Sequence, residues 1–264
     1  MQIAVAAYPI DWHNRWNEYV GKLRLWTRLG VESGARLLVY PEFAALELAS
    51  LAGEDNASDA ARAVEALTAR IKDVDDLHAS LAREFGSLIL AASGPLRTRE
   101  GEVFNRARLF APDGRRWTID QAGPPEALRA AWGVIPAPPS DPIETALGPI
   151  GVLIGADVTR PELAAGLAAA GARLLLVPAL AANPEAAAGL RAEAEARAAE
   201  TGCVVALAVG LGPVDWLPAL GKVTGTAAIL GPDGVLAEGK AHAPGWVRAS
   251  LAAGSVEWEV ERAD

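Results

Sequence analysis

The chain has little cysteine, no cluster of basic residues and no long apolar run. Its single cysteine, Cys203, excludes an internal disulfide. The longest apolar stretches fall far short of the roughly 20 residues that a membrane-spanning helix needs, so we expect no membrane association. The 24 Lys and Arg residues stand against 33 Asp and Glu residues, and the formal net charge is −9. Because a phosphate backbone is bound by clustered positive charge, this balance disfavours nucleic acid as a partner.

The chain does contain enough apolar sequence for one large hydrophobic core. Its 264 residues are 51% hydrophobic and 22% charged, a composition typical of a globular protein. We therefore predict a single domain over residues 1–264. The first residues lack the basic segment of a secretory signal, which predicts a cytoplasmic protein. His13, His78 and His242 have no metal-ligand spacing and no Gly-rich phosphate motif opens a helix, so we predict no metal and no cofactor.

Strand-like and helix-like segments alternate along both halves of the chain. Apolar runs typical of strands cover residues 2–8, 36–40, 87–93, 150–154, 174–177 and 203–209. Segments with helical character cover residues 14–33, 58–85, 161–170 and 186–200. Each half also contains a hairpin around a Pro-Asp-Gly turn, at residues 112–114 and 232–234. Two similar halves predict an α/β (α+β) fold with two sheets packed face to face between helices, a four-layer αββα sandwich; the alternative is one doubly wound sheet.

Polar residues follow the predicted strands at three places where α/β folds commonly bind ligands. Glu42 comes directly after an apolar strand, where a desolvated carboxylate could act as a general base, although a surface carboxylate is the alternative. Residues 151–163 predict a strand, a tight turn and a helix, with Asp157 as a turn former and Thr159 as a possible N-cap. The proline-rich stretch 120–141 lacks periodicity and predicts a surface loop.

Taken in order, these segments resemble the carbon-nitrogen hydrolase (nitrilase) superfamily over nearly the whole chain. The matching segments are Tyr40-Pro41-Glu42 (the general-base motif), residues 104–115 (a hairpin), 151–163 (the nucleophile elbow), 192–205 (a helix and strand) and 225–234 (the closing hairpin). The resemblance implies an αββα sandwich, homodimers paired through helices, and no metal or organic cofactor. It also implies hydrolysis of amides, nitriles or carbamoyl compounds by a Glu-Lys-Cys triad.

Two of the three triad positions depart from the family pattern. The resemblance places Gly155 at the cysteine position, followed by Ala156 and Asp157. A glycine has no side chain with which to form a covalent intermediate. The resemblance places Gln121, or alternatively Ala122, at the lysine position, and a neutral side chain cannot stabilise an oxyanion as an ammonium would.

No lysine occurs between Lys72 and Lys222, so no nearby lysine replaces the missing one. Only Glu42 retains its family identity, together with Glu126, which resembles a second carboxylate near the pocket of many family amidases. Cys203 lies in an apolar run and is predicted to be a small buried side chain. Lys222 is predicted to be exposed, in a loop that can approach the rim of the pocket.

Two hypotheses follow from these departures. The first is a catalytically silent member, a pseudoenzyme that binds a small-molecule ligand or a protein partner. The second is a hydrolase of amide-type C–N bonds with a changed mechanism. In that mechanism Glu42 activates a water molecule, while Gln121, Lys222 or backbone N–H groups hold the oxyanion.

Overall fold

The computed structural model describes residues 1–217 and 219–251. In the first half the elements are β1 (Gln2–Pro9), α1 (Trp16–Val31), β2 (Ala35–Val39), α2 (Glu47–Ser50), α3 (Glu54–Ala57), α4 (Ala60–Phe85), β3 (Leu88–Arg97), β4 (Val103–Phe110) and β5 (Arg116–Asp120). The elements that follow are α5 (Glu126–Trp132), β6 (Ile143–Thr145), β7 (Gly148–Val152), α6 (Pro161–Ala169), β8 (Leu174–Ala179), α7 (Pro184–Thr201), β9 (Val204–Val214), β10 (Gly221–Val223), β11 (Ala228–Gly231), β12 (Gly234–Glu238) and β13 (Gly245–Ser250). Residues 252–264, which the single-domain prediction includes, lie outside the described residues.

Strand β1 joins the two halves of the β structure. The main strand order is β5-β4-β3-β2-β1-β9-β8-β7-β6. Residues 2–5 of β1 pair in parallel with β2, whereas residues 7–9 pair in parallel with residues 209–211 of β9. Strand β13 lies antiparallel along the other edge of β1. The carboxyl ends of β1, β2, β8 and β9 are thereby brought to one region, since parallel strands end at the same edge.

Two hydrophobic clusters confirm the predicted four-layer αββα sandwich. One cluster contains residues of β1, β2 and β3 together with β8, β9 and β11, so the two halves pack on each other; it also includes residues of α6 and α7. The second cluster packs the opposite face of β1, β2 and β3 against α1 and α4. Side chains that alternate along β1, β2 and β3 supply the two clusters in turn, as the period of a strand requires. Among residues 1–217 and 219–251, no helix combines the length and apolar character needed to cross a membrane.

The prediction of a loop without regular structure over residues 120–141 is wrong in its centre. Residues Glu126–Trp132 form helix α5, which ends at Gly133 with a left-handed φ of 66°. The sequence of α5 contains good helix formers, but the prolines on both sides are typical of a loop. Gln121, Trp132 and Val134 are buried, so these three residues anchor a stretch whose other residues are mostly exposed or half-buried.

Candidate functional site

Glu42 lies in a buried polar cluster just beyond the end of β2. Its side chain is only 3% exposed, and its Oε1 accepts a 2.8 Å hydrogen bond from Asn105 Nδ2. Burial, and then the negative charge of Asp157, raise the pKa of Glu42 to about 8, against hydrogen bonds from Asn105 and the backbone of Leu180. Removal from water disfavours the charged carboxylate, so this acid is poised to exchange a proton near neutral pH.

The segment after Glu42 is held by a second buried carboxylate. Phe43 adopts a left-handed φ of 58°, which turns the chain sharply into α2. At the start of α2, Glu47 accepts hydrogen bonds from Tyr8 Oη at 3.0 Å and from the N–H of Asp11 at 2.7 Å. The ammonium of Lys22 also pairs with Glu47. These contacts fix the turn to the end of β1 and thereby hold Glu42 in place.

A chain of amide side chains links Glu42 to the second half of the protein. Asn105, on β4, donates from its Nδ2 to Gln121 Oε1 at 3.0 Å as well as to Glu42. Gln121 Nε2 in turn donates to the carbonyl oxygen of Ile154 at 2.8 Å. The structure therefore brings Glu42 and Gln121 together, and it is the side chain of Gln121, not that of Ala122, that enters the cluster.

Asn105 is a member of this candidate site that was not predicted from the sequence. It occupies an inward-facing position of β4, where its neighbours on the same face, Ala107 and Leu109, are buried and apolar. A polar amide in such a row requires a hydrogen-bonding partner. That position within an otherwise apolar face was the signal available in the sequence.

Gly155 lies directly against the carboxylate of Glu42. Its φ is +52°, a left-handed conformation that glycine adopts most readily. A Cβ placed on Gly155 would overlap both carboxylate oxygens of Glu42 and would lie 2.5 Å from its Cδ. The carboxylate thus fills the space into which a side chain at position 155 would extend. The next residue, Ala156, is partly exposed and has no polar side-chain group.

Asp157 ties the elbow to the segment after β5. Its Oδ2 accepts from the N–H of Ala122 at 3.0 Å and its Oδ1 from the N–H of Gly123 at 2.7 Å. Burial raises the pKa of Asp157, and these backbone donors act in the opposite direction.

The prediction of Thr159 as the N-cap of α6 is wrong. Arg160 holds the cap position, because residues 155–159 form a 3-10 turn in which the Thr159 hydroxyl donates to the carbonyl of Ala156.

The remaining candidates lie outside this cluster. Glu126 is 78% exposed and pairs with Arg129 at 3.4 Å. Cys203 is buried, as predicted, with its Sγ 3.3 Å from the carbonyl oxygen of Ala172. Lys222 is exposed on the short strand β10. In the part of the chain that the structure describes, no group of three or more His, Cys, Asp or Glu side chains is arranged to hold a metal ion.

A cleft of about 780 Å³ opens beside the segment that follows β8. Leu180, whose backbone lowers the pKa of Glu42, precedes the residues that form one wall of this cleft. Polar and charged side chains contribute to its lining, namely Asn183, Asp215, Lys222, Thr224 and His242.

Comparison with known proteins identifies the family. The model of the carbon-nitrogen hydrolase family matches residues 2–255. The chain belongs to the carbon-nitrogen hydrolase family. It is 26% identical over 183 residues to the probable hydrolase YhcX of Bacillus subtilis. That match covers 67% of this chain and 34% of YhcX, so this carbon-nitrogen hydrolase family member spans about a third of the length of its curated relative.

Solved structures of nitrilase-superfamily proteins share the fold. The chain is similar to Nit3 of Saccharomyces cerevisiae, with a TM-score of 0.75 and 16% identity over 94% of this chain and 89% of Nit3. It is also similar to a variant of the amidase from Nesterenkonia sp. AN1, with a TM-score of 0.72 and 25% identity over 96% of this chain and 94% of the amidase. In that structure acrylamide has added to the active-site cysteine of the amidase.

The contact between Gly155 and Glu42 predicts that Gly155→Ala is strongly destabilising. The new methyl group meets the carboxylate, and a left-handed φ disfavours alanine, so the free energy of unfolding should fall by about 2–4 kcal/mol in urea denaturation. Gly166→Ala is the matched control. Gly166 lies within α6 with no atom near its missing Cβ, and this change should raise stability by about 0.5–1 kcal/mol.

A double-mutant cycle with Glu42→Ala tests the cause of that loss. Once the carboxylate is removed, Gly155→Ala should cost only the left-handed penalty of about 1–2 kcal/mol. An equal cost in both backgrounds would contradict the proposed contact.

The raised pKa of Glu42 predicts that stability falls as the pH rises toward 8. The folded protein holds a proton that the unfolded chain releases at its ordinary pKa of 4.5. This contribution is therefore present at low pH and is lost as the pH rises through about 8. Between pH 6.5 and 8 the wild type should lose roughly 2 kcal/mol of unfolding free energy relative to Glu42→Gln. Parallel pH profiles of the two proteins would contradict the shift.

The range from pH 6.5 to 8 avoids the titration of His78, whose effect on stability has the opposite sign. Burial lowers the pKa of His78 from 6.5 to about 4, so His78 stabilises the folded state as the pH rises, but only between those two values. Asp157 and Asp75 also have raised pKa values and are present in both proteins. The difference between wild type and Glu42→Gln therefore reports Glu42.

Proposed function

We propose that this carbon-nitrogen hydrolase family member is a pseudoenzyme that binds a small ligand or a protein partner and does not catalyse the family's hydrolysis. The observation that carries the proposal is the position of the Glu42 carboxylate against Gly155, where a Cβ would overlap its oxygens. The space required by a nucleophile's side chain is filled by the residue that would serve as its base. Loss of the nucleophile alone lowers turnover by roughly 10⁶-fold in a triad hydrolase.

The surroundings of Gln121 support the same proposal. Its Oε1 accepts from Asn105 and its Nε2 donates to the carbonyl of Ile154, so the amide is engaged within the protein. An oxyanion needs donors directed at the place where its charge develops. Cys203 offers no substitute nucleophile, because its thiol is buried and contacts the carbonyl of Ala172.

The cleft beside the segment after β8 supports a ligand-binding role. Its volume of about 780 Å³ falls within the range typical of small-molecule sites. Lys222, Asp215 and His242 supply charged or titratable groups to its lining, and Asn183 and Thr224 supply neutral polar ones. Such a mixture suits a small polar ligand that carries charge.

One observation favours the alternative of a hydrolase with a changed mechanism. The pKa of Glu42 is raised to about 8, and a value near the operating pH is a property of general bases. Glu42 Oε1, however, is already bonded to Asn105. We therefore rank this function second.

Measurement of ammonia release from a panel of amides, nitriles and carbamoyl compounds decides between the two functions. We expect the wild type to release no more ammonia than Glu42→Gln, because the nucleophile and the cationic oxyanion donor are both missing. Turnover by the wild type that is lost in Glu42→Gln would refute the pseudoenzyme proposal. It would support a Glu42-activated water instead.

Restoring the family's side chains tests the positions themselves. We expect acrylamide to label the double variant Gly155→Cys/Gln121→Lys, as detected by intact mass. Gln121→Lys alone is the matched control, because its only thiol is the buried Cys203. Labelling of the control would show that Cys203 is reachable. A folded double variant that resists acrylamide would contradict the assignment of position 155 to the nucleophile.

A further inference from the structure

A second cavity, on the other face of β4, is lined by four arginines. Side chains alternate along a strand, so Arg106 and Arg108 point to the face opposite Asn105. Strands β3 and β5 add Arg97 and Arg116 beside them. The cavity has a volume of about 190 Å³, and its remaining lining residues are Thr68, Ile71, Asp75, Leu96 and Thr118. It shares no residue with the cluster around Glu42.

Carboxylates near this cavity do not balance its positive charge. Arg106 forms a two-pronged pair with Asp120, at 2.7 and 2.8 Å. Asp75 is shared, lying 2.7 Å from Arg108 and 3.6 Å from Arg116. The fourth arginine of the cavity, Arg97, pairs with Glu65 at 2.6 Å. These four guanidinium groups thus pair with three carboxylates, of which only Asp75 lines the cavity.

Arg108 has a hydrogen-bond donor that the protein does not use. Its side chain is only 5% exposed. Its Nε lies 2.7 Å from Asp75 Oδ1 and is paired with that carboxylate through charge, whereas its Nη1 has no acceptor among the described residues. Burial lowers the pKa of Arg108, and the nearby charges of Arg106 and Arg116 act in the same direction, against Asp75. The unused Nη1 donor of this buried cation can accommodate a further anionic acceptor.

We propose that this cavity binds a phosphoryl group, of inorganic phosphate or of a small phosphate monoester, with Arg108 and Arg116 as its principal ligands. Guanidinium groups match the oxygens of phosphate with paired hydrogen bonds. The arginines come from three neighbouring strands, so more than one guanidinium lines the space that a single anion would occupy. The small volume of the cavity favours a small molecule over a macromolecular partner.

Titration calorimetry of the full chain with sodium phosphate, against sodium chloride of equal ionic strength, tests this proposal. We expect saturable binding at one site. Arg116→Gln should weaken it about tenfold, as loss of a charged hydrogen bond predicts. Arg115→Gln is the matched control, because Arg115 is the adjacent residue, carries the same charge and pairs with Asp113 outside the cavity. Equal weakening by both variants, or no saturable binding, would overturn the proposal.

Asp75→Asn should change the affinity for phosphate in the direction opposite to Arg116→Gln. Removal of the competing carboxylate should tighten phosphate binding several-fold, whereas a purely structural role of Asp75 would leave the affinity unchanged or lower it.

Acetate should bind more weakly than phosphate, and equal affinity would refute a phosphoryl site. Inorganic phosphate and glycerol phosphate form the last comparison: tighter binding of the monoester would identify a phosphorylated metabolite as the ligand, and tighter binding of phosphate the free anion.

Discussion

The hydrogen-bonded chain from Glu42 through Asn105 and Gln121 to the carbonyl of Ile154 is the interaction on which the arrangement of the site depends. Its members come from the end of β2, from β4, and from the segments after β5 and β7. All of them are buried, and a buried polar group that loses its partner is costly. The two halves of the sandwich are therefore held in one relative position by polar contacts as well as by apolar packing.

Much of the fold could be predicted from the sequence because its signals are local. Alternating apolar runs and helical segments, with a Pro-Asp-Gly turn in each half, indicate most of the strands, the helices α1, α4, α6 and α7, and both hairpins; α2, α3, β6, β10 and β13 were not predicted. The resemblance to the carbon-nitrogen hydrolases then singled out Glu42 and Gln121, which the structure brings together. Helix α5 could not be predicted in the same way, because prolines flank a helix of only seven residues.

The contacts that define the site could not be predicted, because they join residues far apart in the chain. Nothing local to Asn105 identifies its partners, which lie 63 and 16 residues away in the chain. The approach of Glu42 to Gly155 likewise depends on how two turns meet. The cavity lined by four arginines could not be predicted for the same reason. It forms only when β3, β4 and β5 are paired, and the acidic overall composition gives no sign of it.

The occupied space at Gly155 has an evolutionary consequence. A single codon change that placed a cysteine at position 155 would set its Cβ against the Glu42 carboxylate, so the mutant would be less stable than its parent. Selection on stability alone therefore acts against side chains at this position, independently of any effect on catalysis.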